Sequence, residues 1–195
     1  NVPPEREAVN EAYKRVVASL FSPRASAYQK MAGYDIRTAR MAVCCLVMVD
    51  AAVSGVAYST DQTTNPTMGA EDMLINSAWG LGKSIVEGQV DADLYVVRKQ
   101  PTPMLTNRKI GNKAYMTARR TDGGTDSVMT PVEMTQKSSL TDEQVLDIAG
   151  GVALIEKYFR KPVDVEWAID KKGTVFFLQA RPLRAGVRNN EAQTA

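Results

Sequence analysis

Apolar positions near the start of the chain repeat at helical spacing. Val9, Ala12, Tyr13, Val16, Val17 and Leu20 fall on one face, and Pro3 and Pro4 stand where a helix start tolerates them. A second, shorter helix is predicted next, with Ser22 as N-cap, Pro23 at the first helical position and Gly33 as its stop. The period then changes. Short runs rich in Val, Ile, Tyr, Thr or Met at 41–49, 55–60, 72–78, 94–98, 114–119 and 127–134 are separated by Gly, Pro, Asn and Asp, and predict a mostly antiparallel sheet. Helical spacing returns in TDEQVLDIAGGVALIEKYF, where Thr141 and Gln144 make a capping-box pair and Val145, Ile148, Ala149, Val152 and Ile155 share a face. Gly150 and Gly151 each weaken that helix by about 1 kcal/mol against Ala, so it needs packing to survive. The pattern is that of an α+β fold. Helices fill 1–34, a sheet flanked by helices (the last at 141–159) fills 35–183, and the tail 184–195, without periodicity, reads as a linker or disordered end.

The stretch PVDVEWAIDKKGTVFFLQARPL, residues 162–183, predicts a hairpin whose two halves alternate apolar and polar residues. A two-residue loop at Lys171 and Lys172, or a four-residue loop, places Ile169 opposite Thr174. Asp164 then faces Gln179, Glu166 faces Phe177 and Pro162 faces Arg181. The four polar groups thus share one face with Val175 and Phe177, while Val163, Val165, Trp167, Ile169, Phe176, Leu178 and Ala180 take the other. Glu166 becomes the diagonal neighbour of Gln179, a spacing of about 7 Å that a shared ion can close. Carboxylate and amide oxygens suit Mg²⁺, and Arg181 beside them suits a phosphate oxygen. The same alternation is what the solvated face of any antiparallel sheet shows. Apolar company on the polar face is more typical of a cleft floor than of open surface.

Composition narrows the chemistry. With 44% hydrophobic and 24% charged residues in 195, the chain is expected to be an ordinary globular one. A net charge of +2 with interspersed signs does not favour nucleic acid as a partner. The longest apolar run, 41–49, is far short of the ~20 residues of a membrane-spanning helix, and no signal-peptide pattern opens the chain, so a cytoplasmic location is expected. Cys44 and Cys45 are adjacent, which excludes a disulfide framework and predicts core packing for both. The chain has no histidine, which removes a Ser/His/Asp triad, a zincin helix and a phosphohistidine carrier. SAWGLGKSIVEGQV contains GKS, but Ser77 stands where a P-loop needs its first glycine, and the segment reads as a strand, a glycine turn and a short helix.

Taken in order, SGVAYSTD, SAWGLGKSIVEGQVDADLYVV, LTDEQVLDIA and KPVDVEWAIDKKGTVFFLQARPL resemble blocks of the phosphoenolpyruvate synthase and pyruvate phosphate dikinase family, and more distantly of the rifampin phosphotransferases. The resemblance covers residues 21–183 and implies the second lobe of an ATP-grasp nucleotide-binding domain. It implies ATP and Mg²⁺ as cofactors, Glu166 and Gln179 as metal ligands, and Asp164 and Arg181 as polar contacts to metal and phosphates. By the same resemblance Arg181 would also act in phosphoryl transfer, and the backbone of Leu46, Val47, Met48 and Val49 would be the hinge strand against adenine. Such enzymes phosphorylate a histidine on a mobile domain and pass the group to pyruvate. The implied partners are therefore a preceding ATP-grasp lobe, a phosphohistidine domain and a pyruvate-binding barrel, none of which this chain contains.

Three departures stand out. Leu46 replaces the family's Gln, the loop at 50–53 is shorter, and GLGE reads GLGK, with Lys83 where a carboxylate is expected. A two-unit charge change close to a metal–phosphate centre is worth several kcal/mol at an effective dielectric of about 20. Alternative readings are a non-catalytic ATP-grasp module, or a phosphotransferase with another acceptor such as an antibiotic or a phenol.

Overall fold

A computed structural model describes residues 1–35, 37–60 and 72–183. The polar loop beyond residue 60 and the tail from 184 lie outside the described residues. The chain divides into two compact units, Asn1–Met48 with Arg119–Thr125, and Val49–Ala118 with Asp126–Ala195.

The first unit carries α1 (Arg6–Ser19) and α2 (Pro23–Met31). α2 starts as its sequence dictates, with the Ala25 amide donating to Ser22 Oγ at 3.3 Å and Pro23 in the first turn. α1 has the expected period but buries no residue fully, and Val9, Tyr13 and Val16 are exposed. The strand expected at 41–49 is absent. Residues 39–50 form no regular structure, and Cys44 and Cys45 are exposed instead of packed in a core. An apolar run becomes a strand only where another strand satisfies its backbone, and none of the described residues pairs with this one.

The second unit is built on β1 (Ala51–Tyr58), β2 (Asp72–Trp79), β3 (Asp93–Arg98), β4 (Met104–Lys109), β7 (Val163–Asp170) and β8 (Val175–Pro182). They form one antiparallel sheet in the order β4-β3-β2-β1-β7-β8, with β5 (Tyr115–Arg119) and β6 (Thr125–Met129) as a separate pair. β4 was not predicted, because MLTNRK has neither β-branched runs nor alternation and lies exposed at a sheet edge. The strand predicted at 127–134 stops at Met129. Pro131 has no amide to continue a ladder, and Val132–Met134 is a 3-10 turn.

One face of the sheet is covered by α4 (Asp142–Phe159). Its capping box is formed, with Thr141 Oγ1 accepting from the Gln144 amide at 3.2 Å and Gln144 Oε1 from the Thr141 amide at 2.9 Å. Val145, Ile148, Ala149 and Val152 pack onto Val53, Ala57, Met73, Ile75, Tyr95, Val97, Val163, Val165 and Trp167. Gly150 faces open space, whereas a Cβ on Gly151 would lie 2.0 Å from Phe177 Cζ. Gly151 is therefore the seat of the Phe177 ring. No helix among the described residues is long and apolar enough to cross a membrane.

A second support sits at the start of β3. Asp93 and Lys113 are both wholly buried, with Lys113 Nζ 2.5 Å from Asp93 Oδ1. The Gly111 amide also donates to Oδ1 at 2.9 Å, and the Ser139 amide and hydroxyl donate to Oδ2 at 2.8 and 2.7 Å. The Tyr95 hydroxyl reaches Oδ2 at 3.3 Å. This carboxylate ties β3, the loop after β4 and the turn before α4 into one network, each of its oxygens multiply satisfied.

Two outcomes follow from the packing. In urea unfolding, Gly151→Ala displaces the Phe177 ring and lowers stability by about 1–3 kcal/mol, while Gly150→Ala stabilises by up to about 1 kcal/mol; equal effects would refute the seat. Asp93→Ala strands the Lys113 ammonium and costs about 3–5 kcal/mol, most of it recovered when Lys113→Met is added. A loss under about 1 kcal/mol would show that the pair is not coupled in this way.

Candidate functional site

The face of the sheet away from α4 carries the polar residues of the hairpin, and it is reached through a register the sequence did not predict. The β7–β8 loop has three residues, Lys171, Lys172 and Gly173. The Asp170 amide donates to Thr174 O at 3.1 Å, and Asp170 Oδ1 accepts the Lys172 and Thr174 amides at 2.9 Å. Gly173 takes φ +88, the left-handed position such a loop requires. The expected facing of Ile169 and Thr174 is thus displaced by one, and Ile169 faces Val175, Ala168 faces Phe176 and Trp167 faces Phe177. A β-bulge at Leu178 then adds a second shift. Glu166 faces Gln179 directly, Val165 faces Ala180 and Asp164 faces Arg181.

The two displacements add to two residues for Gln179 and Arg181, and an even shift returns each to its expected face. Asp164, Glu166, Gln179 and Arg181 share one face as expected, with closer pairings than expected. Val175, Phe176 and Phe177 feel only the first displacement and change sides. Val175 and Phe177 pack toward the core and α4, and Phe176 is the aromatic residue left on the polar face.

Pairing across the sheet extends these positions into rows. Lys109, Leu94, Asn76, Val56, Glu166 and Gln179 are successive partners from β4 to β8. The next row contains Leu74, Tyr58, Asp164 and Arg181. A cavity of about 470 Å³ opens over both rows, walled on one side by Ile85, Val86 and Val90. Asp164, Glu166, Arg181, Tyr58, Asn76, Asp91 and Lys109 are its polar lining.

Arg181 Nε and Nη2 both lie 2.8 Å from Asp164 Oδ2. Hydrogen bonding to Asp164 and then the charge of that carboxylate raise the Arg181 pKa above its ordinary value, against desolvation and with smaller help from Glu166 and Tyr58. The guanidinium stays charged. Asp164 is 7% exposed, and its Oδ1 is buried with no hydrogen-bond partner. Among the described residues Glu166 and Gln179 have no side-chain hydrogen bond, so their oxygens keep their full acceptor capacity. Gln179, on the edge strand, is exposed and is not one of the lining residues.

These donors fit a hard divalent cation. Glu166 would supply a carboxylate and Gln179 an amide oxygen, with the Arg181-bound carboxylate of Asp164 beside them, a set suited to Mg²⁺ when water and phosphate fill its other positions. Among the described residues no three His, Cys, Asp or Glu side chains cluster for a metal, so no closed all-protein cage is built there.

The glycine turn between β2 and α3 (Lys83–Val86) is fastened to the sheet. The Gly80 amide donates to Ala52 O at 2.8 Å, the Leu81 amide to Thr117 O at 2.9 Å and Ser54 Oγ to Gly80 O at 2.6 Å. Lys83, expected near the metal and phosphates, is exposed and does not line the cavity. Leu46, Val47, Met48 and Val49 precede β1 without the expected strand structure, and Leu46 and Val47 are 73% and 94% exposed. Sequence reasoning missed Asn76 and Lys109. Asn76 was available from the alternation of 72–78, whereas Lys109 lies in the unpredicted β4.

The family model described as pyruvate phosphate dikinase, AMP/ATP-binding domain, matches residues 2–195. The chain is 34% identical over 191 residues to the probable phosphoenolpyruvate synthase of Methanocaldococcus jannaschii, covering 96% of this chain and 16% of that protein. It is 34% identical over 182 residues to the phosphoenolpyruvate synthase of Pyrococcus furiosus, covering 90% and 22%, and 37% identical over 188 residues to that of Escherichia coli, covering 90% and 23%. It therefore spans about a fifth of the length of these relatives. A family match over nearly the whole chain, joined to an α+β fold with its polar hairpin face over a cavity, places this protein in the pyruvate phosphate dikinase AMP/ATP-binding domain family, as an ATP-binding domain of phosphoenolpyruvate-synthase-like proteins.

Proposed function

We propose that this chain is the second lobe of an ATP-grasp domain, binding Mg-ATP in a longer phosphotransferase that phosphorylates a histidine elsewhere in the protein and passes the group to pyruvate. The direct facing of Glu166 and Gln179, beside the Asp164–Arg181 pair, carries this reading. Glu166 and Gln179 would hold the cation through oxygen, with Asp164 on the same face. When bound, Mg²⁺ neutralises the phosphate oxygens and aligns the transferred group. Arg181, fixed by two bonds to one carboxylate oxygen, keeps its remaining N–H groups for a phosphate oxygen. Its role is positioning and charge neutralisation, which supply most of the catalysis in phosphoryl transfer. The acceptor histidine, the preceding lobe and the pyruvate-binding barrel belong to the remaining length of the protein, at a cytoplasmic location.

In the full-length protein, Glu166→Gln and Gln179→Ala weaken magnesium-dependent ATP binding by about 10-fold or more. Their unfolding midpoints stay near wild type, because neither side chain makes a structural hydrogen bond among the described residues. Titration calorimetry with and without Mg²⁺ checks this, and unchanged magnesium dependence sinks the ligand assignment. Nucleotide binding by the full-length protein with no phosphohistidine detectable by mass spectrometry would instead identify a binding module.

A further inference from the structure

Three carboxylates (Asp91, Asp164, Glu166) and two cations (Lys109, Arg181) line the cavity. Most of them are already engaged. Arg181 is held by Asp164, and Asp91 Oδ2 accepts the Asn112 amide at 2.9 Å. Glu166 and Lys109 are the two that have no hydrogen bond or ion pair among the described residues. They stand on one row, four strands apart, so their Cα atoms are separated by about 19 Å at the usual strand spacing. They are too far apart to pair with each other, and the cavity lies between them.

Lys109 is also held in place. Along β4 the neighbouring Arg108 points to the other face, where its Nη2 lies 2.7 Å from Asp142 Oδ1 at the start of α4. Alternation then sends Lys109 to the cavity face. Immediately after it the backbone is pinned, the Gly111 amide to Asp93, the Asn112 amide to Asp91, and Lys113 Nζ to both Asp93 and Gly111 O. The loop presses so closely on the segment before β3 that a Cβ on Gly111 would lie 2.0 Å from Asp91 O. A flexible side chain on a fixed Cα loses less freedom on binding than one on a mobile loop.

We propose that Lys109 is a second cationic contact for the polyphosphate of the bound nucleotide, reaching it from the side of the cavity opposite Glu166. This rests on the nucleotide reading above. An uncomplexed polyphosphate is repelled by a lining with a net formal charge of −1, three carboxylates against two cations. A divalent metal at Glu166 would bring that sum, which already counts the Lys109 ammonium, to +1, with the two positive groups on opposite sides of the phosphates. No covalent role is assigned to Lys109, which acts by charge and hydrogen bonding.

The test is titration calorimetry on the full-length protein with Mg-ATP, magnesium tripolyphosphate and adenosine as probes. Lys109→Met is expected to raise Kd for Mg-ATP and for magnesium tripolyphosphate about tenfold and to flatten their salt dependence. It leaves adenosine binding and the ligand-free unfolding midpoint unchanged, and Lys109→Arg restores most of the affinity. Lys83→Met, outside the cavity, serves as the control and changes nothing. Unchanged polyphosphate affinity in Lys109→Met, with wild-type binding intact, overturns this inference alone. Equal weakening of adenosine also overturns it, by showing that Lys109 is merely part of the wall. A wild-type protein that binds neither Mg-ATP nor tripolyphosphate overturns the nucleotide reading and this inference together.

Discussion

If β8 paired regularly with β7 from its turn onward, Ile169 facing Val175 would bring Leu178 opposite Glu166 and Gln179 opposite Val165. Arg181 would then lie opposite Val163, and both polar side chains would turn toward the core beneath α4. The extra residue at Leu178 prevents this. It lets Phe177 stay on the core face opposite Trp167 while Gln179 and Arg181 come to stand opposite Glu166 and Asp164, and of these two Arg181 lines the cavity. Leaving one residue of an edge strand unpaired costs little, whereas burying a guanidinium without its partner would cost several kcal/mol. Gly151 belongs to the same constraint, because the Phe177 ring can remain over α4 only where the helix has no Cβ. A helix position, a bulge and a polar pair thus form one device, and the floor of the site is its outcome.

The far end of the cavity is secured by different chemistry. Asp93 gathers Lys113, Gly111, Ser139 and Tyr95 around a wholly buried carboxylate, so the strand that carries Leu94 and the loop that follows Lys109 share an anchor. A buried ion pair contributes little net stability compared with a well-packed apolar substitute, and its value here is geometric. The network lies on the helix side of the sheet, and Asp93 sits next to Leu94, which faces the cavity. Both ends of the polar row are thus fixed from the opposite face, by Gly151 and Phe177 at one end and by Asp93 and Lys113 at the other.

The sequence made visible those features whose cause is local. Ser22 with Pro23, and Thr141 with Gln144, are capping signals that act within three residues, and both hold. The shared face of Asp164, Glu166, Gln179 and Arg181 was legible through alternation, although the pairing within it was not. Loop length and bulge are set by Asp170, Gly173 and the fit of Phe177 against α4, and no period reveals them. Lys109 went unseen because β4 is an exposed edge of Asn, Arg and Lys. Lys113 and Asp93 look like surface charges in sequence and are buried only because tertiary structure brings them together. The run at 41–49 failed for the converse reason. Its composition promised a strand, but a strand requires a neighbour, and among the described residues it has none.

Charge sets the limit on what this chain does unaided. On the proposed reading, a triphosphate brings about four negative charges at neutral pH to a lining that is itself net negative. Arg181 is shared with Asp164, so Lys109 and a divalent cation at Glu166 and Gln179 are the positive groups this chain offers without competition. On the same reading their charge would fall short of neutralising a triphosphate in the transition state, where unbalanced charge is costly. The remaining cations must then come from outside these residues. On that reading the groups that complete the site would be carried by another part of a longer protein, as a chain matching about a fifth of its relatives' length allows.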